Sequence, residues 1–321
     1  MGILMSATTT SSSNNNNDGS DTPTPSTPST TTTTTTTKRI VFIRHGCTYM
    51  NEYLGLPGKS FGSPNFTDVF PNTDQYRGKY QDSTLSERGT NQAVSLGKRL
   101  TSLYEGKKNA HVPLRIQNPP DRTFLNDLDL VVVSPLARSI QTYELGLLPV
   151  LERMKDTKQG SLGAKEPPAV VCLPEAAERL YLISDIGKTR TDLSEQYNHL
   201  SIDFETGFWR DGKQDETWWF RLDDDGSVAP ARPSGITSST YQEWRPASQN
   251  QVYACPGEPD EVFDDRMMRL YWWLEGRPEA TIAVVCHWGV IDWFLESDFG
   301  NCELEIVPFD DIQPARMVKD S

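Results

Sequence analysis

The sequence predicts an α/β protein: three layers, with a mostly parallel central sheet, helices on both of its faces, and loop or helical insertions over the site. Three observations predict it. Four short runs, at 39–43, 131–133, 170–173 and Thr281–Cys286, are apolar without interruption once past the leading Arg39 and Thr281, and unbroken apolarity belongs to strands covered on both faces. Between the runs, apolar residues recur at helical spacing, so the connections are crossovers rather than hairpins. The polar segments that remain fall between these elements, where insertions sit without breaking the sheet.

The elements follow in order. Residues 1–37 contain no Lys, Arg or aromatic residue, but an Asn run at 14–17 and a Thr run at 30–37. So little apolar surface does not offset the entropy of ordering, and the segment reads as a disordered Ser/Thr/Asn-rich tail. Residues 38–321 then form one domain. Its first strand, 39–43, stops at Arg44-His45-Gly46, and 52–81 reads as a loop rich in Gly, Pro, Asn and Asp. Leu85-Ser86-Glu87 opens a helix carrying Ala93, Leu96, Leu100 and Leu103 on one face. After the second strand, Ser134-Pro135 is an N-cap and N1 pair for a helix to about Leu145. Residues 151–168 read as polar and exposed. Beyond the third strand, 185–258 is rich in Gly, Asp and Trp and reads as an insertion packed on the domain. A helix over 261–275 offers Val262, Met268, Leu270, Trp272 and Trp273, and a short one after the fourth strand offers Ile291, Phe294 and Leu295.

Composition excludes several functions. Of 321 residues, 31 are Lys or Arg and 44 Asp or Glu, a formal net charge of −13. A phosphate backbone needs a basic face, so nucleic acid is not an expected partner; a small anion remains one, since a local basic pocket can sit on an acidic protein. The five cysteines, at 47, 172, 255, 286 and 302, form no C-x-x-C pair. They argue for a reducing, cytoplasmic setting rather than a zinc cage or disulfide framework. No apolar run reaches bilayer length, and the start does not fit a signal peptide. Gly2 and Ser6 match a myristoylation pattern, but one acyl chain binds marginally, so no stable membrane association is expected. Oligomeric state is not legible.

Ligands of parallel sheets bind beyond the carboxyl ends of the strands. Arg44 and His45 follow the first strand, Ser134 to Arg138 the second, and His287 the fourth. Two arginines, two histidines and a helix start would make an anion pocket, and guanidinium suits phosphate oxygens bidentately.

The motifs have a family likeness. Arg44-His45-Gly46-Cys47-Thr48-Tyr49-Met50-Asn51 fits R-H-G-x-T-x-x-N, and Asp82, Leu85, Gly89, Gln92 and Ala93 fit D-x-x-L-[ST]-x-x-G-x-x-Q-A. Ser134 to Thr142 fits S-P-L-x-R-x-x-Q-T, and His287 comes late, after an apolar strand. In this order they resemble the histidine phosphatase superfamily, the phosphoglycerate mutase-like fold, well over 38–145 and 260–296 and poorly between.

The resemblance implies a metal-independent phosphomonoester hydrolase that uses no cofactor and acts on a small phosphorylated substrate through a phosphohistidine. His45 would be the nucleophile, Arg44 and Arg138 a clamp on the phosphoryl oxygens, and His287 added charge opposite. The cations would also disfavour protonation of His45. Gly46 would let the backbone approach substrate closely. Asn51 would touch phosphate or substrate, and Thr48 would either do the same or cap the loop. A carboxylic acid should protonate the leaving oxygen. Leu173-Pro174-Glu175-Ala176-Ala177-Glu178-Arg179 offers two, and Ser184-Asp185-Ile186-Gly187 just beyond favours Glu178 over the alternative, Glu175. Two other readings stay open: a phosphoglycerate mutase-type transfer, disfavoured because no adjacent Arg-Arg pair follows Glu178, and a non-catalytic phosphate-binding module.

Overall fold

The computed structural model describes residues 37–59, 79–107, 123–158, 166–210, 213–214, 218–219, 221–222, 228–229, 258 and 260–312. The expected tail up to residue 36, with Gly2, lies outside them, as do 60–78 of the first expected insertion and most of 211–257 of the second. The described residues fall in one compact unit, Thr36–Ser321.

Five strands form the main sheet: β1 (Arg39–Arg44), β2 (Leu130–Val133), β3 (Ala169–Cys172), β4 (Thr281–Cys286) and β5 (Leu304–Pro308), in spatial order β3-β2-β4-β1-β5. The first four are mutually parallel, and β5 closes one edge antiparallel to β1. Two further two-residue ladders pair Trp209–Arg210 with Lys213–Gln214 and Arg221–Leu222 with Val228–Ala229. The helices are α1 (Tyr49–Leu54), α2 (Glu87–Tyr104), α3 (Thr123–Asp127), α4 (Ala137–Thr142), α5 (Leu148–Lys158), α6 (Arg190–Gln196), α7 (Asp260–Gly276) and α8 (Trp288–Leu295).

The unbroken apolar runs divide between two cores as the pleat requires. Val41, Ile43, Val131, Val133, Ala283 and Val285 face a core shared with α2, α4, α5 and Leu193 to Phe208. Ile40, Phe42, Leu130, Val132, Ile282 and Val284 face the other, shared with α7 and α8. Each fully buried aliphatic side chain contributes about 1.5–3 kcal/mol, against about 1 kcal/mol for a helix cap, so the two-sided sheet outweighs local signals. The three-layer, mostly parallel expectation holds.

Several local expectations do not. The helix after β2 starts at Ala137, not at Pro135. Ser134 is no cap; Asp82, in the left-handed region at φ 44°, accepts the Ala137 N–H at Oδ1 (2.8 Å). That helix does not stop near Leu145: it passes through a π-helical turn, Tyr143–Leu147, into α5. Residues 151–158 are therefore helical, with Leu151 and Met154 buried. The start of the 52–81 loop belongs to α1. On α7, Trp272 points to solvent, and Phe263, Met267 and Leu274 are buried instead. The strand β5 was not foreseen, because Glu305 and Pro308 interrupt its apolar pattern. The described part of 185–258 does pack on the domain: Trp218 is buried and donates from Nε1 to the Lys188 carbonyl (2.8 Å).

The start of α2 is pressed against the segment after β1. A Cβ on Gly89 would lie 1.8 Å from the Cys47 carbonyl oxygen, and one on Gly46 would lie 2.8 Å from the Gly89 oxygen. Gly89→Ala should therefore cost about 1–3 kcal/mol, seen as a lower urea midpoint at unchanged m-value; an unchanged midpoint would contradict this packing. Asp82 gives a second prediction. Burial raises its carboxyl from the ordinary 3.8 to about 6, and its Oδ2 has no hydrogen-bond partner among the described residues. The folded chain then binds more protons than the unfolded one between those values. The contribution of Asp82 to stability is greatest at the acid end and is lost, by roughly 3 kcal/mol, as pH rises to about 6. Asp82→Asn should abolish that slope, and parallel stability–pH curves for wild type and variant would refute it.

Candidate active site

Strand register brings the motifs together. Arg44 pairs with Cys286 across β1–β4, and Val133 pairs with both Val285 and Cys172. The next residues, His45, Ser134, Leu173 and His287, thus leave the sheet at one end. The ladder continues into these turns: His45 N–H donates to the Cys286 carbonyl (3.1 Å) and Ser134 N–H to that of Val285 (3.0 Å).

His45 is buried, and its ring centroid lies 5.1 Å from that of His287. Its Nδ1 is 2.7 Å from the Gly46 carbonyl oxygen. A carbonyl only accepts, so Nδ1 carries the proton and Nε2 presents its lone pair. Burial first, then Arg138 and Arg44, hold His45 well below the ordinary histidine pKa. The expected effect of the cations is present, but desolvation exceeds it.

Arg138 is buried and fully engaged. Nη1 donates to the Ser184 carbonyl (2.6 Å), Nη2 to Asp185 Oδ1 (2.8 Å) and Nε to His287 Nδ1 (3.2 Å). Asp185 Oδ2 in turn accepts the Tyr181 and Leu182 N–H groups (3.1 and 2.9 Å). Arg138 is thus a buried ion pair that orients a histidine, more than the free clamp expected. Arg44, half-buried, donates from Nη1 to the Phe299 carbonyl.

His287 departs from expectation. It is fully buried, and burial together with Arg138 holds its pKa well below the ordinary value. It adds no positive charge; with Nδ1 accepting from Arg138, the proton sits on Nε2, 2.6 Å from Ser134 Oγ and 3.4 Å from Ser139 Oγ. Two arginines beside it make a third cation costly.

Of the two glutamates, Glu178 belongs to this cluster. Its Oε2 accepts the Gly289 N–H (3.2 Å), two residues beyond His287, and its Oε1 the Arg179 N–H (3.0 Å). Burial and the Asp185 carboxylate raise its pKa above the ordinary carboxyl value, against the pull of Arg138. A Cβ on Gly289 would lie 2.4 Å from Glu178 Oε1, so only glycine admits the carboxylate there. Arg266, on α7, fixes the backbone beneath it, donating to the carbonyls of Glu175 (2.9 Å), Ala177 (2.7 Å) and Glu178 (3.3 Å) and pairing with buried Glu258 (2.7 Å). Glu175 meets Arg266 through its backbone carbonyl.

Three further expectations change. Thr48 is the N-cap of α1: its Oγ1 accepts the Asn51 N–H (3.0 Å), and Asn51 Oδ1 accepts the Thr48 N–H (3.1 Å). This capping box commits the Asn51 oxygen to the helix start and resolves Thr48 in favour of capping. Gly46 sits where Gly89, Leu85 and Cys302 would crowd any side chain. Cys286 is an inert strand residue whose thiol burial pushes up. Sequence reasoning assigned no role to Asp185, Arg266 or Gly289, and read Ser134 as a helix cap. Asp185 stood in a quoted pattern; Arg266 carried no local signal. Among the described residues, no three His, Cys, Asp or Glu side chains gather to hold a metal ion, and no helix is long and apolar enough to cross a membrane.

Comparison with known proteins finds no family model that matches the chain and no curated protein that does. Similar solved structures exist. An alpha-ribazole phosphatase from Shigella flexneri is 17% identical, over 79% of this chain and 76% of that one, at a TM-score of 0.33. A phosphoserine phosphatase mutant from Entamoeba histolytica, in complex with phosphoserine, is 14% identical over 84% and 89%, at 0.33. A phosphoglycerate mutase from Thermus thermophilus is 16% identical over 84% and 88%, at 0.29. At these identities and TM-scores the likeness stands as similarity alone, and the chemistry rests on the side chains of the site.

Proposed function

We propose that the chain is a phosphomonoester hydrolase that works through a phosphohistidine on His45. The observation that carries this reading is the state of His45: buried, neutral, protonated on Nδ1 by its bond to Gly46, and so offering Nε2, with Arg44 and Arg138 beside it. Nε2 attacks phosphorus as the bond to the leaving oxygen breaks. Glu178, raised above the ordinary carboxyl range, gives that oxygen its proton. The Glu178 carboxylate then takes a proton from water, whose oxygen attacks phosphorus, and the P–N bond breaks to release phosphate. Arg44 offsets charge on the phosphoryl oxygens throughout, with the Arg138 guanidinium as a fixed charge and the His287 N–H as a fixed dipole behind it. Among the described residues, four buried free thiols, Cys47, Cys172, Cys286 and Cys302, suit a reducing cytoplasmic setting.

Purified protein with p-nitrophenyl phosphate and a panel of alkyl phosphates tests this. His45→Ala should reduce turnover to background; activity that survives it would overturn the phosphohistidine. Activity should persist in EDTA, and its loss would overturn metal independence. Isomerised phosphoglycerate without net phosphate release would favour the mutase, and tight phosphate binding without turnover the binding module.

The pH profile gives a separate prediction. His45 must be unprotonated, so kcat/KM should rise with pH through a value well below the ordinary histidine pKa. Glu178 must be protonated in the first step, so kcat/KM should fall as pH rises through its elevated pKa. Glu178→Gln should erase the falling limb and cost about 10²–10⁴ in kcat/KM with alkyl phosphates. The cost should be smaller with p-nitrophenyl phosphate, whose leaving group needs no proton. An unaltered falling limb in Glu178→Gln would assign the acid to another group.

A further inference from the structure

The two peptide units that follow His45 are gripped by side chains to which the proposed chemistry gives no part. The carbonyl of the His45–Gly46 unit accepts from Asn301 Nδ2 (3.0 Å) and from the Cys302 N–H (3.3 Å), and its N–H donates to Thr142 Oγ1 (3.0 Å). The Thr142 hydroxyl passes its own proton to the Arg138 carbonyl (2.7 Å). In the next unit, Gly46–Cys47, the N–H donates to Gln92 Oε1 (2.9 Å), and the carbonyl is the acceptor for His45 Nδ1 (2.7 Å).

A peptide unit is planar, with its N–H and C=O opposed, so fixing the N–H of one unit fixes where its carbonyl points. A neutral histidine side chain in water favours the proton on Nε2, the tautomer without a nucleophilic Nε2. The productive tautomer therefore needs a stationary acceptor at Nδ1, and the acceptor here is the carbonyl of a glycine, the residue with the freest backbone. We infer that Gln92, Thr142 and Asn301 are positioning residues which hold the Gly46 carbonyl in place and thereby set the tautomer of His45. Gln92 acts on the accepting unit itself, Asn301 and Thr142 on the unit before it. The inference rests on the phosphohistidine reading for its catalytic consequence, though not for the tautomer. Gln92 and Asn301 also border a cleft of about 770 Å³ that opens to solvent, so shortening either leaves no sealed void in the core.

The test joins two measurements on the full chain: long-range ¹H–¹⁵N correlation of the histidine rings, assigned with His45→Ala, and kcat and KM with p-nitrophenyl phosphate. Wild type should show His45 protonated on Nδ1. Gln92→Leu, which keeps the bulk and loses the acceptor, should move part of the proton to Nε2 and lower kcat roughly ten- to a hundredfold, with KM within about twofold. Asn301→Ala should act in the same direction, more weakly, since the Cys302 N–H remains on the His45 carbonyl. Gln92→Glu, which retains an acceptor oxygen, should restore the Nδ1 tautomer and most of kcat. A wild-type His45 protonated on Nε2 would overturn the inference. So would a fall in kcat with unmoved ring signals, the mark of a merely structural role. Ring signals that shift as expected in a protein without phosphatase activity would sink the phosphohistidine reading and support the clamp; His45-dependent activity indifferent to Gln92→Leu and Asn301→Ala would do the reverse.

Discussion

A guanidinium out of reach of water is the constraint around which the site is arranged. Arg138 is 4% exposed, and a charge so placed is tolerated only when every face of it is met. Asp185, the Ser184 carbonyl and His287 meet it, and they come from different parts of the chain: the turn after β3 and the turn after β4, around the first residues of α4. The packing of α4 on the sheet, the course of 181–185 and the ring orientation of His287 are therefore one problem with one solution. The position of α4 itself depends on a second buried acid, Asp82, which supplies the cap that its own sequence lacks.

The same logic runs outward from the pair of histidines. Both are held neutral by burial and by the arginines, and both are committed to a single tautomer by an unambiguous partner: a carbonyl for His45, a guanidinium N–H for His287. One then presents a bare ring nitrogen, and the other a ring N–H. Glu178 completes the set with the opposite perturbation, a carboxyl kept protonated more readily than usual. Its position depends on the absence of a side chain at Gly289 and on a buried Arg266–Glu258 pair behind it. Acids and cations are buried together in this interior, Asp82, Asp185 and Glu258 with Arg138 and Arg266, and the groups that matter electrostatically are few and close together.

How much of this was legible varies with the range of the interaction. Four of the five strands of the main sheet were visible because burial on both faces leaves few polar residues to confuse the pattern, as in β4 beyond Thr281. The edge strand β5 was not, since an edge admits Glu305 and Pro308 without cost. The helix beginning at Glu87 was visible through Ser86, a local cap; the one at Ala137 was misplaced by two residues because its cap is Asp82, 55 residues earlier. In the site, the order of motifs identified His45, Arg44, Arg138 and His287, and the structure brings them together. It also sets Thr48 and Asn51 in a capping box, and Gly46 against the start of α2.

What the amino-acid sequence determined by itself was the set of elements and the chemical kinds of the site residues, because apolar runs, helical spacing and short motifs are written in neighbouring positions. What only the tertiary structure decided was the state of those residues. The protonation of His45 and His287, the contact of Glu178 with the Gly289 N–H, and the grip of Asn301 on a carbonyl 256 positions away all depend on burial and on partners distant in the chain. A pKa and a tautomer are properties of an environment, and the environment exists only once β1, β2 and β4 lie side by side.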